Sequence, residues 1–218
     1  MERFFVLDKF NTWYDWRFIV TNKNVSPPEP KTQYVEIDGM NGSLDLSEAL
    51  TGEVVYNDRT VSATFWTDNG TRKDRERLLR EITVALHGKR VKIVEPDDPD
   101  HYFIGRVTIK SVKNHLAYLE LSIEAKCEPW RYACDESNRV VTVLDGQTVN
   151  AVIRNEGIKT LSPILSVTDN VTITYGGVAT KLSTGTYQMS NLKLYHGVNV
   201  VTVSGDGTVV FTYREADL

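Results

Sequence analysis

Four carboxylates, Asp38, Asp45, Glu48 and Glu53, stand close together in sequence around a turn at Gly39–Gly42. A pair of carboxyl groups about 5–10 Å apart can cleave a glycosidic bond, one as acid and the other as base or nucleophile. Carboxylates are also common at turns and caps, and that structural reading covers these four. A second acidic run, Glu95-Pro-Asp97-Asp98-Pro-Asp100-His101, has the donors for calcium but not the EF-hand pattern. It lacks a glycine at the sixth position and a glutamate at the twelfth, so it reads as a rigid solvated turn between two strands. Cys127 and Cys134 would need two more soft ligands to hold zinc, and His87, His101, His115 and His196 are scattered without a pairing motif. The two cysteines read as reduced, partly buried thiols. The chain contains no G-x-S-x-G, Walker loop, G-x-G-x-x-G or H-E-x-x-H motif. No catalytic residue, metal ligand or cofactor site is expected.

Composition narrows the partners. The chain has 218 residues, 41% of them apolar and 25% charged, with a net charge of −4. That length buries a core as one large β domain or two small ones. The acidic balance argues against a dedicated binder of nucleic acid or anionic membrane. No apolar run reaches the roughly 18–20 residues needed to span a bilayer, and the start has only Phe4 to Leu7 before Asp8, too short for a secretory signal. A cytoplasmic site of synthesis is expected.

Mainly β structure with one amphipathic helix must position these residues. Arg59–Trp66 alternates with Val61, Ala63 and Phe65 on one face, as a half-buried strand does. Leu78, Leu79, Ile82, Ala85 and Leu86 fall at helical spacing, predicting a helix over about 72–87. Thr71 and Asp74 form a near capping box, and Gly88 is placed to end the helix. Arg72, Lys73, Arg75, Arg77 and Arg80 are assigned to its remaining surface, either as a contact for an acidic partner or as a solvated face balanced by Asp74, Glu76 and Glu81. Strands resume at Arg90–Val94 and His101–Ser111, and Ala117 to Ala125 gives the cleanest period-two run. Cys127–Asn138 is polar and aromatic without a sustained period and reads as a linker. Beyond it come short strands rich in Val, Thr, Ile and Tyr, punctuated at Asp145-Gly146, Asn155-Glu156-Gly157, Gly176-Gly177 and Ser204–Gly207. Val171, Ile173 and Tyr175 alternate, as do Val209, Phe211 and Tyr213. This spacing without helices indicates a β-sandwich, giving domains 1–134 and 135–218.

Aromatic residues are unevenly spread. All four tryptophans (Trp13, Trp16, Trp66, Trp130) precede the second domain, and Trp13, Tyr14, Trp16 and Phe18 form a dense cluster. Such a cluster either buries itself against a neighbouring subunit or packs within its own fold. Beyond residue 135 there are tyrosines (Tyr175, Tyr187, Tyr195, Tyr213) but no tryptophan, which lowers a lectin role.

Several further motifs follow one another along the chain. They are Pro28-Glu29-Pro30-Lys31, Ile37-Asp38-Gly39-Met40-Asn41-Gly42-Ser43-Leu44-Asp45-Leu46, Tyr56-Asn57-Asp58-Arg59, Leu86-His87-Gly88-Lys89 and Tyr102-Phe103-Ile104-Gly105-Arg106-Val107. The series continues with Asn155-Glu156-Gly157 and Pro163, Leu194-Tyr195-His196-Gly197-Val198-Asn199, and the terminus Val210–Leu218. In this order and spacing the motifs resemble those of the distal tail (Dit) proteins of long-tailed bacteriophages, and the resemblance implies a structural component of a siphovirus tail, not an enzyme. An N-terminal belt domain, a β-sandwich with one helix and a β-hairpin, would close a hexameric ring. A C-terminal galectin-like or carbohydrate-module-like β-sandwich would project from it. Such a baseplate hub joins the tail tube, built of major tail protein, to a tail-associated lysin or fibre-bearing tip protein. Its channel passes DNA and the tape-measure protein; neither sequence-specific nucleic acid nor membrane is a partner. The location implied is the virion, after assembly in the host cytoplasm. The short C-terminal half leaves no room for an inserted carbohydrate-binding domain.

A ring needs two different patches per subunit that close by rotation. A strand over Lys31–Asp38, or the aromatic N-terminal segment, can pair across the boundary and protect a sheet edge, with Pro27, Pro28 and Pro30 stiffening the approach. The candidate interface residues are Trp13, Trp16, Tyr34, Val35, Ile37 and Leu44. The alternative is a non-catalytic carbohydrate-binding module acting in host-surface recognition, with a tyrosine-dependent site in residues 140–218. A hydrolase using Asp38 or Asp45 ranks last.

Overall fold

The computed structural model describes residues 4–218 and divides them into two compact units, one up to Arg131 with Leu218, the other Tyr132–Asp217. The first unit contains β1 (Val6–Leu7), β2 (Phe10–Asn11), β3 (Ile19–Val25), β4 (Tyr34–Glu36), β5 (Ser43–Asp45) and β6 (Arg59–Thr67). Helix α1 (Arg72–Leu86) follows, then β7 (Arg90–Glu95), β8 (Asp98–Asn114) and β9 (Leu119–Cys127). Apart from the β4–β5 pair, these strands form an antiparallel path ordered β2-β1-β7-β8-β9-β6-β3.

The path folds on itself through β8. The first half of this 17-residue strand pairs with β7 and the second half with β9. Gly105 stands at the crossover, opposite Val91 on one side and Cys127 on the other. A strand that passes between layers in this way makes a sandwich corner. Phe5, Leu7 and Ile93 from one layer meet Phe65, Leu121 and Ile123 from the other in one core. The rings of Phe5 and Phe65 touch edge-on at 5.8 Å. Ile82 and Leu86 of α1 join this core, and the helix lies against β8. Burying each large side chain contributes about 1.5–3 kcal/mol, so the alternating faces of β6 and β9 fix their register.

Helix α1 begins as its sequence dictates. Thr71 accepts from the Asp74 amide through Oγ1 at 3.3 Å, while the Asp74 carboxylate accepts from the Thr71 amide at 3.0 Å. Gly88, with φ of 75°, follows the C-cap residue His87.

The acidic run is tighter than a solvated loop. Glu95 pairs with Asp98 across a turn of only Pro96 and Asp97, so Asp98–Asp100 belong to β8. The carboxylates stay in strand because cations hold them. Lys23 bridges Glu95 and Asp97 at 2.6 and 2.7 Å. Arg131 and His101 bind Asp98 at 2.9 and 2.7 Å.

After β10 (Arg131–Ala133), the second unit contains β11 (Ser137–Val143), β12 (Thr148–Asn155), β13 (Ile164–Val167), β14 (Val171–Tyr175) and β15 (Val178–Leu182). It ends with β16 (Gly185–Gln188), β17 (Gly197–Gly205), β18 (Gly207–Tyr213) and β19 (Ala216–Asp217). Two four-stranded sheets, β11-β18-β13-β16 and β12-β17-β14-β15, enclose a core centred on Leu165, Ile173, Val201, Val203 and Phe211. This is the β-sandwich that the strand spacing indicates. Asp145-Gly146, both at positive φ, carries the chain from one sheet to the other, whereas Gly176-Gly177 closes the β14–β15 hairpin. No helix among the described residues is long and apolar enough to cross a membrane.

Candidate functional site

β4 and β5 pair only with each other, over Tyr34↔Asp45, Val35↔Leu44 and Glu36↔Ser43. Directly opposed residues share a face, so Val35 and Leu44 lie on one side, and Tyr34, Asp45, Glu36 and Ser43 on the other. The arm is rooted where Pro30 bridges Tyr56 and the Lys31 amide donates to the Val55 carbonyl at 2.7 Å. Tyr56 in turn packs edge-on against Trp130 at 5.8 Å. Gly39 and Gly42, at φ of 84° and 78°, turn the tip.

No residue between Lys31 and Val54 is buried. Tyr34 is 60% exposed and Leu50 97%, and Val35, Ile37, Met40, Leu44 and Val54 are exposed too. Two-stranded ribbons are marginally stable in water, and apolar side chains on both flanks call for a covering surface. The polar-looking stretch Gly39–Val54 gave no sequence signal for Met40, Leu50 and Val54, because they lie in turns without period.

The aromatic segment near the start behaves differently. Trp16 is only 4% exposed and stacks on Phe10 at 5.0 Å inside the first core, so it belongs to its own domain's packing and offers no surface to a neighbour. Phe18 is buried beside it. Trp13 is half-buried, with the Arg17 guanidinium 5.8 Å from its ring centre. Of the six candidate interface residues, Tyr34, Val35, Ile37 and Leu44 share the arm, and the two tryptophans lie outside it.

The arm carboxylates are all exposed to solvent. Asp45 accepts from the hydroxyl and amide of Ser47, and these bonds hold its carboxyl below the usual carboxylate range. A general acid for glycoside cleavage needs the opposite shift. Burial alone would lower the Lys23 ammonium pKa, but its hydrogen bonds to Asp97 and Glu95 outweigh that and the net shift is upward. Among the described residues no group of three or more His, Cys, Asp or Glu side chains is placed to hold a metal ion. Cys127 and Cys134 form no disulfide; burial pushes the Cys127 thiol up to about 12, whereas Cys134 is exposed.

One cation departs from the surface assigned to it. Arg75 is buried, and its guanidinium donates to the carbonyls of Gly70 at 2.7 Å, His115 at 3.1 Å and Leu116 at 2.7 Å. It ties the start of α1 to the turn between β8 and β9. Arg59 is buried as well, its guanidinium 5.1 Å from the Phe103 ring centre, and its pKa is lowered by burial and then by Arg131 nearby.

In the second unit the recurrent motifs hold loops. Asn155 donates to the Lys159 carbonyl at 2.9 Å and the Leu194 carbonyl at 3.1 Å. Asn199 accepts from the Tyr195 amide and donates to the Tyr195 carbonyl. A Cβ on Gly157 would lie 2.6 Å from the Ala216 carbonyl oxygen, so only glycine admits the closing strand there. Three tyrosine hydroxyls are used internally: Tyr175 donates to Lys193, Tyr213 to Arg154, and Tyr187 meets Ser183. Tyr195 alone of the four is well exposed, at 57%.

No protein-family model and no curated protein matches the sequence. Among solved structures, the chain is similar to SPP1 Dit (gp 19.1), described as a paradigm of the hub adsorption apparatus in phages infecting Gram-positive bacteria. The TM-score is 0.72 over 99% of both chains, at 14% identity. The likeness runs through both units, and the fold implied by the sequence motifs is the one found: this chain has a Dit-like, two-sandwich fold.

Proposed function

We propose that the chain is a structural distal tail protein of a long-tailed bacteriophage or prophage. Its first unit is the ring-forming belt, and six copies close into a hub between the tail tube and the tail-tip protein. The ring leaves a channel for DNA and the tape-measure protein, and the chain resides at the distal end of the virion tail after assembly in the host cytoplasm. The observation that carries this reading is the full-length likeness to SPP1 Dit, a hub protein. The exposed arm adds to it, since an isolated ribbon rich in apolar side chains suits a subunit contact. The arm residues Tyr34, Val35, Ile37 and Leu44 are the proposed contact.

Light scattering on a size-exclusion column, across a range of protein concentrations and with purified tail tubes present, tests the proposal. A species near six times 24.7 kDa that grows with concentration is expected. A chain that stays monomeric under all these conditions overturns it. Leu44→Asp should abolish the large species while leaving the melting temperature of the subunit unchanged, because Leu44 contributes to neither core.

A further inference from the structure

We infer that the acidic arm of one copy docks on a basic stripe of α1 of the next copy. This inference rests on the ring reading and names the two surfaces that meet. Between Lys31 and Val54 the arm carries five carboxylates, Glu36, Asp38, Asp45, Glu48 and Glu53, against the single cation Lys31. Its polar side presents Glu36 and Asp45 beside the Tyr34 ring.

The receiving surface is set by helical spacing. Lys73, Arg77, Arg80 and Val84 recur at i, i+4, i+7 and i+11, which places them along one side of α1. All four are exposed, Val84 at 74%. On the neighbouring flank Arg72 is paired with Glu76 at 3.5 Å, but Lys73, Arg77 and Arg80 form no salt bridge among the described residues. Several other surface cations of this unit are held by carboxylates: Lys126 by Asp58, Lys110 by Glu124, Lys113 by Glu120, and Arg90 by Glu128. The stripe thus gathers three exposed cations without a salt bridge on one side of a single helix, where Lys73 and Arg77 also feel the Asp74 carboxylate. It is opposite to the arm in sign and, like the arm, has an apolar residue among its charges.

An arginine is also suited to lie over an exposed tyrosine ring such as Tyr34. Two different patches, arm and helix, give the head-to-tail contact that a closed ring requires. The apolar side of the arm, Val35 and Leu44, supplies area, and the charges select the surface that receives it.

Charge reversal tests the pairing. One variant carries Lys73→Glu, Arg77→Glu and Arg80→Glu; the other carries Glu36→Lys, Asp38→Lys and Glu48→Lys. All six positions are exposed, so each variant should keep the wild-type far-UV spectrum and melting temperature. At an ionic strength of about 0.05 M, each variant alone should need at least about tenfold more protein than wild type to assemble. Mixed in equal amounts they should assemble again, because each arm then faces a helix of opposite sign. Variants that assemble like wild type, or a mixture that stays apart, overturn the inference while leaving the ring reading intact. A wild-type chain that never assembles overturns the ring reading, and this inference with it.

Discussion

At Gly105 a methyl group would lie 2.3 Å from the Cys127 sulfur and 2.8 Å from the Lys126 carbonyl oxygen. The backbone oxygen cannot give way, so Gly105→Ala should destabilise the first unit by about 1–3 kcal/mol, read as a lower urea midpoint. Replacing Cys127 with alanine in the same chain should recover only part of that loss, because the clash with the carbonyl remains. Arg75 makes a second test. Arg75→Met leaves the carbonyls of Gly70, His115 and Leu116 without their donor and should cost about 2–4 kcal/mol. Arg75→Lys should recover little, since one ammonium cannot reproduce a planar fork that spans two loops. Helical spacing sets Arg75 on the apolar stripe, seven residues before Ile82 and four before Leu79, whereas Arg77 lies across the helix; the charge of Arg75 masks that signal. Its partners are backbone carbonyls, two of them contributed by residues 115 and 116, and carbonyls leave no residue-type signal.

Local chemistry fixes α1 at its start. Thr71→Ala should cost about 1 kcal/mol by removing the side chain that accepts from the Asp74 amide. Hydrogen bonds from Thr71 hold the Asp74 carboxyl below its ordinary value of 3.8. A lowered folded pKa means that this stabilisation is fully present above the ordinary value and is lost as pH falls through the folded value. Asp74→Asn should flatten that part of the acid-range stability profile, measured by thermal unfolding at successive pH values. The helix was legible because cap, apolar stripe and terminal glycine agree, and β6 and β9 because their alternation is unbroken. β8 was legible only in part. Its buried side is interrupted where it leaves β7 for β9 and again at the bulge near Lys110, so period two fails. Its first residues were hidden by an acidic composition that Lys23 and Arg131 neutralise from distant points in the chain. The arm was legible from its glycine turn, whereas the burial of Trp16 beside exposed Tyr14 is a tertiary outcome that aromatic content alone does not decide.

Across the whole molecule, the arm and the two cores are separable in energy. Closing the chain from Lys31 to Val55 with a short Asn-Gly turn should leave the unfolding transition of the subunit in place and abolish the proposed ring, as read by calorimetry and light scattering together. An armless chain that still forms the large species would move the subunit contact elsewhere. The two ends of the arm already meet in a backbone hydrogen bond, so its excision strains nothing in the core. The shared strand β8 has the opposite character, and that contrast bears on how such chains can change length over evolution. One residue added or lost within Asp98–Asn114 would turn every later side chain to the wrong face of a layer, and β8 belongs to both layers at once. Insertions and deletions should therefore be excluded from β8 and admitted in the arm. In the proposed ring, differences of bore or partner should arise through arm length, while the strand shared by the two layers keeps its count.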